Sequence, residues 1–476
     1  MNRETNVRLY SFGAVQEVTG SKHILEVNGK KILIDCGMFQ GRREETYRRN
    51  KTLPFKAEEI DVVFLTHAHF DHSGNLPSLI IDGYDKDIYA TPATFDLTSL
   101  ILNDSAYIQK RDTEFIRKII KKRKRTDLKI YEPIYGIDDV KNTLSNFVLV
   151  DYNKRIKVFD NVEAEFYDAG HILGSAMIVF FVKMDEFKTL KIGFSGDLGR
   201  KNQVILKDPQ KLPDLDYFIL ESTYGNRLHD NITKTKDELA EVINSTYKKK
   251  GKIIIPAFAV ERTQEIIYYI HELIETKKIP SLPIYVDSPM AVHATSVFKT
   301  HPECFDRETF ELFYDKEVSP FDFEGVNYIV DVERSKKLNS LREPAIIIAA
   351  SGMCEHGRIV HHLRNNIEKP ENTILIVGFM AQHTLGRKIA DREKEVKIFG
   401  EKLKVNARVK ILNTFSAHAD YNEMKEYVKQ FNLEKLKKIF LVHGEPDAQK
   451  YLEQVLERNG VKEVKRVFNN EKYKLV

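Results

Sequence analysis

Residues 66–74 read THAHFDHSG and follow directly on the apolar run Val62-Val63-Phe64-Leu65. That run is short, β-branched at its start and stopped at once by polar residues, the pattern of a buried strand ending in a loop. The loop carries His67, His69, Asp71 and His72 within six residues. So many donors on one strand-end loop cannot all reach a single small cation without strain. They can divide, with His67 and His69 directed to one metal and Asp71 and His72 to a second. Imidazole and carboxylate together form a borderline donor set that suits Zn2+. The competing reading, a polar loop rich in histidine by chance, leaves the spacing and the further ligand candidates downstream without a cause.

Upstream, a strand is expected over residues 7–15. Two strand-like runs follow, 23–27 and 31–35, joined by Asn28-Gly29, a strong two-residue hairpin signal. The second run ends at Asp35-Cys36-Gly37, where the aspartate taken alone reads as a turn-former. Downstream, 75–82 reads as a short helix and 94–125 as a long one that ends in a dense basic cluster, residues 117–125. That cluster is either a solvated helix face or a neutraliser of polyanion phosphates. Strand-like runs at 162–166 and 176–182 flank the segment containing Gly170-His171 and Gly174, and 190–194 leads into Ser195-Gly196-Asp197.

From the strand at 217–220, which delivers Glu221-Ser222-Thr223-Tyr224-Gly225, the pattern changes. Strands at 252–256, 284–286, 345–349 and 373–377 alternate with helical segments such as 236–248 and 261–276. Such alternation implies a parallel α/β domain. A strand at 409–412 then leads to Ser416-Ala417-His418-Ala419-Asp420, and one at 439–442 to His443-Gly444-Glu445.

Composition bounds the class. A chain of 476 residues exceeds one compact core and implies two domains. No apolar run approaches the roughly 18 residues of a membrane span. The start, MNRETNVRLYSF, lacks the apolar stretch of a secretory leader, so a cytoplasmic location with no membrane partner is expected. Cys36, Cys304 and Cys354 are far apart and form no CxxC pair, so neither a disulfide framework nor a cysteine-type zinc site is indicated. The net charge of +4, from 74 basic and 70 acidic residues, does not announce a nucleic-acid partner, so a local patch has to supply the contact.

In its strand-end context HAHFDH matches the HxHxDH signature of the metallo-β-lactamase fold hydrolases. ESTYG, SAHAD and VHGE narrow the resemblance to the β-CASP branch, metal-dependent nucleases that include the endonuclease of messenger-RNA 3′-end processing and ribonuclease J. The likeness runs over nearly the whole chain. It implies an α/β fold, a metallo-β-lactamase αββα sandwich with an inserted parallel α/β β-CASP cap, divided into core 1–214, cap 215–395 and returning core 396–476. It also implies two Zn2+ per chain. Carried over position by position, His67, His69 and His171 bind the first zinc, Asp71, His72 and His443 the second, and Asp197 bridges them. Asp35 hydrogen-bonds the site from behind. His418 resembles the general acid, a role suited to a side chain with an ordinary pKa of about 6.5, and Glu221 orients it. All seven ligand positions hold competent residues, so an active enzyme is expected.

In the cap, Ser351-Gly352-Met353 and Thr384-Leu385-Gly386-Arg387 follow the order of the family's substrate-binding loops. Gly-containing loops that open helices favour anions. The resemblance therefore points to Ser351, Gly352, Thr384, Gly386 and Arg387 as substrate contacts, with Arg262 as a further cation. His356 and His383 depart from the family pattern, standing where relatives usually carry glycine. The expectation is a zinc-dependent ribonuclease that hydrolyses phosphodiester bonds of single-stranded RNA held between core and cap. It would act endonucleolytically in RNA processing or decay, with 5′ exonuclease action as a second mode and a homodimer by family analogy. ESTYG and SAHAD are closer to the 3′-end endonuclease than to ribonuclease J, and the 33 residues after His443 leave no room for ribonuclease J's extra C-terminal domain. The early position of Asp35 likewise leaves none for preceding KH domains. The rival readings are a hydrolase of small esters or phosphodiesters and a non-catalytic RNA-processing subunit.

Overall fold

Asn28 and Gly29 both sit at positive φ, 51° and 85°, and close the hairpin between Lys22–Val27 and Lys30–Ile34. This mirror-image turn has the twist that paired strands need. The computed structural model describes residues 5–41, 43–123, 129–229, 234–378, 380 and 383–476. Lys124 and Arg125 of the basic cluster lie outside them.

The hairpin is part of a seven-stranded sheet with the spatial order Lys472–Lys474, Val7–Gly13, Lys22–Val27, Lys30–Ile34, Val62–Phe64, Ile88–Ala90, Phe147–Leu149. A second seven-stranded sheet runs Val464–Arg466, Lys438–Val442, Tyr217–Glu221, Thr189–Phe194, Ala176–Lys183, Val162–Asp168, Arg155–Phe159. Their facing sides share one apolar core, with Leu9, Ile32 and Phe64 from the first sheet and Phe166, Phe180 and Ile219 from the second. The Phe64 ring lies 5.0 Å from that of Phe180, edge to face, a favoured aromatic geometry. On the outer side of the second sheet, Met424, Leu452 and Leu456 of the helices Tyr421–Val428 and Pro446–Arg458 pack on Phe218, Leu220 and Leu441. On the outer side of the first, Leu76 and Leu79 of the helix Leu76–Ile81 pack on Leu33, Val63 and Leu65. The four layers are helix, sheet, sheet, helix, the αββα order expected.

This sandwich is one of two compact units, made of Met1–Lys201, Asp208–Leu228 and His418–Val476. The other unit comprises Asn202–Lys207 and His229–Ala417. Its sheet is six-stranded, in the order Val326–Tyr328, Ile284–Val286, Ile346–Ala349, Ile253–Pro256, Thr373–Ile376, Arg408–Ile411, and every pairing is parallel. The runs IIIP, IIIA and TILI are buried along their whole length. Continuous rather than alternating apolarity is what a parallel sheet covered on both faces requires.

The unit boundaries differ from the expected 215 and 396. Tyr217–Glu221 pairs in parallel with Thr189–Phe194 and Lys438–Val442 inside the sandwich, so apart from Asn202–Lys207 the chain stays in it as far as Leu228. Arg408–Ile411 pairs in parallel with Thr373–Ile376 at the edge of the six-stranded sheet, and Val409 is buried in that unit's core beside Ile374 and Ile376. The chain therefore re-enters the sandwich at His418. Which sheet an edge strand joins depends on its partners, and spacing along the chain does not carry that information.

Candidate active site

The functional side chains of the sandwich leave the ends of its strands. Lys30–Ile34 delivers Asp35, Val62–Phe64 the histidine loop, Val162–Asp168 the His171 turn, Thr189–Phe194 Asp197, and Lys438–Val442 His443. Asp35 and His443 each turn out of their strand at positive φ, 61° and 48°. Two glycines allow the loops to close on one another. A Cβ at Gly37 would stand 1.5 Å from the Asp71 carbonyl oxygen, and one at Gly199 1.8 Å from that of Gly170. No side chain fits at either place.

The donor atoms form two sets. His67 Nε2 lies 3.1 Å from His69 Nδ1, which lies 3.2 Å from His171 Nε2. Asp197 Oδ2 sits 3.4 Å from the His67 and 3.5 Å from the His171 nitrogen. In the second set, His72 Nε2 and His443 Nε2 are 3.2 Å apart, and Asp71 Oδ2 is 3.5 Å from His443. The other Asp197 oxygen, Oδ1, faces this set, 3.3 Å from His72 Nε2. Thus one carboxylate presents an oxygen to each set.

The ring orientations are fixed from behind. His72 Nδ1 donates to Asp35 Oδ2 at 2.7 Å. Asp35 also accepts from the Thr66 backbone N–H and hydroxyl. The Thr66 oxygen, 3.0 Å from His67 Nδ1, accepts from that ring and leaves its Nε2 lone pair directed inward. Thr223 does the same for His443, its oxygen 3.0 Å from Nδ1 and its hydroxyl donating to the His443 carbonyl. Fixing the far nitrogen in this way is how proteins orient a metal-binding imidazole. Thr66 directly precedes the HxHxDH motif and Thr223 lies within ESTYG, yet neither motif predicts a role for its threonine.

Electrostatics and packing fit bound metal. Burial pushes His67 and His171 down and His69 to about 3, so these rings are neutral bases. Burial opposes charge on His72 as well, but the carboxylates of Asp197 and Asp35 outweigh it and raise its pKa well above the ordinary value. The centre thus favours positive charge where the donors converge, and a metal arriving there displaces the proton. His171 Nδ1 and Asp197 Oδ1 are buried with no hydrogen-bond partner among the described residues. The ligand atoms of His67, His69, His171 and Asp197 all lie within 4.8 Å of one another, as do those of Asp71, His72 and His443. Nitrogen lone pairs and carboxylate oxygens aimed at common points are what zinc requires.

Beside this centre, His418 Nδ1 is 3.0 Å from Glu221 Oε1 and 3.8 Å from Asp197 Oδ2. Burial works against its charged form, and the Glu221 and Asp197 carboxylates reverse that, lifting its pKa to about 9. Glu221 is itself held by the N–H groups of Leu198 and Thr223.

Comparison with known proteins agrees with this chemistry. Residues 21–128 match the metallo-beta-lactamase superfamily, 263–389 the Beta-Casp domain, and 402–467 the Zn-dependent metallo-hydrolase RNA specificity domain. A protein named as a ribonuclease from Thermus thermophilus is 36% identical over 441 residues, covering 93% of this chain and 94% of its own. The chain belongs to the β-CASP metallo-hydrolase ribonuclease family. Other relatives are the transcription termination factor FttA of Methanosarcina mazei, 32% identical over 93% of this chain and 67% of its own, and an RNase J-like protein of Methanocaldococcus jannaschii, 30% identical over 92% and 93%. A structure of a protein of unknown function from Enterococcus faecalis superimposes with a TM-score of 0.55 at 12% identity, covering 99% of this chain and all of that one, which speaks to the fold alone. Membership makes the chain a metallo-hydrolase whose substrate class is RNA.

Within the β-CASP unit, the expected substrate contacts are unevenly placed. The Ser351-Gly352 and Thr384–Arg387 loops do meet, Gly386 N–H donating to the Met353 carbonyl at 3.2 Å. A Cβ at Gly386 would stand 2.9 Å from that carbonyl oxygen, which accounts for the glycine. Thr384 Oγ1 caps the helix Leu385–Ala390 by accepting from Arg387 N–H, and Glu355 already accepts from Leu385 N–H at 2.5 Å. Arg387 is exposed and pairs with Asp391. Arg262 is buried. Its guanidinium pairs with Glu265 and lies 5.5 Å from the Phe415 ring, so its charge is used within the unit. His356 and His383 are exposed. No helix among the described residues is long and apolar enough to cross a membrane.

Proposed function

We propose that this chain is a two-zinc endoribonuclease that cuts single-stranded RNA and leaves a 5′ phosphate and a 3′ hydroxyl. His67, His69 and His171 would hold one ion, Asp71, His72 and His443 the other, and Asp197 both. When bound, the ions supply Lewis-acid activation of water and neutralise charge on the scissile phosphate. The observation that carries the reading is the position of Asp197, with Oδ2 beside His67 and His171 and Oδ1 beside His72.

The chain's own residues do the rest. Asp35, Thr66 and Thr223 hold the imidazoles so that their lone pairs converge. Glu221 holds His418 by Nδ1, which leaves Nε2 to carry the proton that the departing oxygen needs. A side chain that is 20% exposed can recover that proton from solvent. The cytoplasm is the compartment this reading assigns, in keeping with three buried cysteines that form no disulfide among the described residues. A homodimer is part of it on family likeness alone.

The test uses zinc-loaded protein with 5′-labelled and internally labelled RNA, with and without a 5′ phosphate. Internal cuts that ignore the state of the 5′ end are expected. Mononucleotides released only from 5′-phosphorylated RNA would replace the endonuclease by an exonuclease, and intact RNA would overturn the reading.

A further inference from the structure

The long helix Pro92–Arg123 is held along one side and bare along the other. On the held side, Ser105, Gln109, Thr113 and Arg117 stand one turn apart, and each bonds to the segment 130–135. Tyr135 Oη donates to Ser105 Oγ at 2.9 Å, Ile134 N–H to Gln109 Oε1 at 2.9 Å, and Thr113 Oγ1 to the Tyr131 carbonyl at 2.7 Å. Arg117 donates to both Glu132 oxygens at 2.6 and 2.7 Å.

With 3.6 residues per turn, the opposite side carries Tyr107, Arg111, Phe115, Lys118 and Lys122. All five are exposed, Tyr107 at 53% and Phe115 at 61%, although large rings are normally buried. Arg111 donates to the Tyr107 hydroxyl at 3.0 Å, which holds the first pair in register. The stripe is about 22 Å long at the helical rise per residue.

This part of the helix is basic: residues 107–122 contain six basic and two acidic side chains, a net +4, which equals the net charge of the entire chain, with Arg111, Lys118 and Lys122 on the stripe and Arg117 on the held side. Everything outside this segment therefore balances to zero. On the held side, Leu102 and Ala106 belong to the buried apolar cluster that Phe70, the residue after His69, packs against.

We infer that this stripe is an RNA-contacting surface outside the catalytic centre, taking phosphates on Arg111, Lys118 and Lys122 and bases on Tyr107 and Phe115. The inference rests on the ribonuclease reading and deepens it. Rings alternating with cations along one line form the platform used for single strands. A membrane-lying or partner-binding helix needs a continuous apolar face instead, and the cations interrupt one here.

The test measures binding of a labelled oligouridine to the full-length protein in EDTA, where no cutting occurs, across a range of KCl. The charge-reversed double variant K118E/K122E is expected to raise Kd at least about tenfold and to lower the log–log salt slope by about 1.4, two single-strand phosphate contacts. Phe115→Ala is expected to raise Kd about tenfold with the slope unchanged. Oligouridine carrying 4-thiouridine should cross-link to residues 107–122 of the unaltered protein, a readout that needs no variant. Unchanged Kd in both variants, with cross-links elsewhere, overturns the inference. So does retention on phosphatidylserine vesicles through the stripe with RNA affinity unaffected. If the unaltered protein still cuts RNA in either case, only the stripe is at fault. If it neither binds nor cuts RNA, the ribonuclease reading falls with it.

Discussion

His418 Nδ1 donates to Glu221 Oε1 at 3.0 Å, joining residues 197 positions apart in the sequence. The two lie beside Asp197, and the three together form a further group of potential metal donors. Proton donation and metal binding by His418 make different predictions. His418→Ala is expected to slow RNA cleavage by about 10²- to 10⁴-fold, the contribution of a positioned proton donor, with zinc content unchanged. Glu221→Gln should fall between that variant and the unaltered protein, because the ring remains but its orientation loosens. Loss of metal from His418→Ala would make the residue a ligand.

Asp35 touches no position a substrate could reach, being buried behind His72, Thr66 and the sheet. Its effect should appear in metal affinity. Asp35→Asn is expected to weaken zinc binding about 10- to 100-fold in competition with a chromophoric chelator, the usual cost of removing an orienting carboxylate. An unaltered zinc affinity would leave Asp35 a turn residue only.

Chelation should destabilise the sandwich as well as silence it. The donors are largely buried bases and carboxylates held at 3.1–3.5 Å from one another, a cluster that a bound cation would stabilise. A ligand at 1,000 times its Kd stabilises the folded state by about 4 kcal/mol. Calorimetry should therefore show a midpoint several degrees lower after EDTA treatment and full recovery on adding zinc. An unchanged midpoint would argue against a metal-dependent core.

A pH effect is expected in the β-CASP unit, away from the metal centre. Asp287 is fully buried and accepts from Arg358 Nη1 at 2.6 Å, Ser335 Oγ at 2.6 Å and His362 Nε2 at 2.7 Å. Burial raises its pKa, and the three donors more than offset this, holding the carboxyl below its ordinary value. A depressed carboxylate contributes stability above its unfolded pKa, about 3.9, and that contribution is lost as the pH falls through the lower folded value. Asp287→Asn should thus cost about 3 kcal/mol or more at neutral pH, as breaking a buried ionic network does. The gap to the unaltered protein should close below about pH 4. A gap that persists unchanged at pH 3 would contradict the charged network.

The histidine loop was legible as a candidate metal site from its strand-end context and spacing, whereas His171, Asp197 and His443 lie far apart in the sequence and were placed only through the resemblance to the β-CASP family. Thr66 and Thr223 were placed by neither, since a threonine beside a histidine has no signature until the hydroxyl is seen on the ring. Arg262 looked like a free cation, and only packing reveals Glu265 and Phe415 around it. The strand Arg408–Ile411 falls in the returning core by the expected boundary at 396, whereas strand pairing gives it to the other sheet. Basic residues 117–122 were visible as a run. The aromatic partners and the bare face appeared only once segment 130–135 was seen to occupy the other side.

The central claim is that Asp197 serves two cations at once, and zinc stoichiometry tests it most directly. Elemental mass spectrometry of the zinc-saturated, desalted protein should give two equivalents per chain, and Asp197→Ala should fall to one or fewer while keeping its circular dichroism. One equivalent in the unaltered protein, or two retained in Asp197→Ala, would contradict the account.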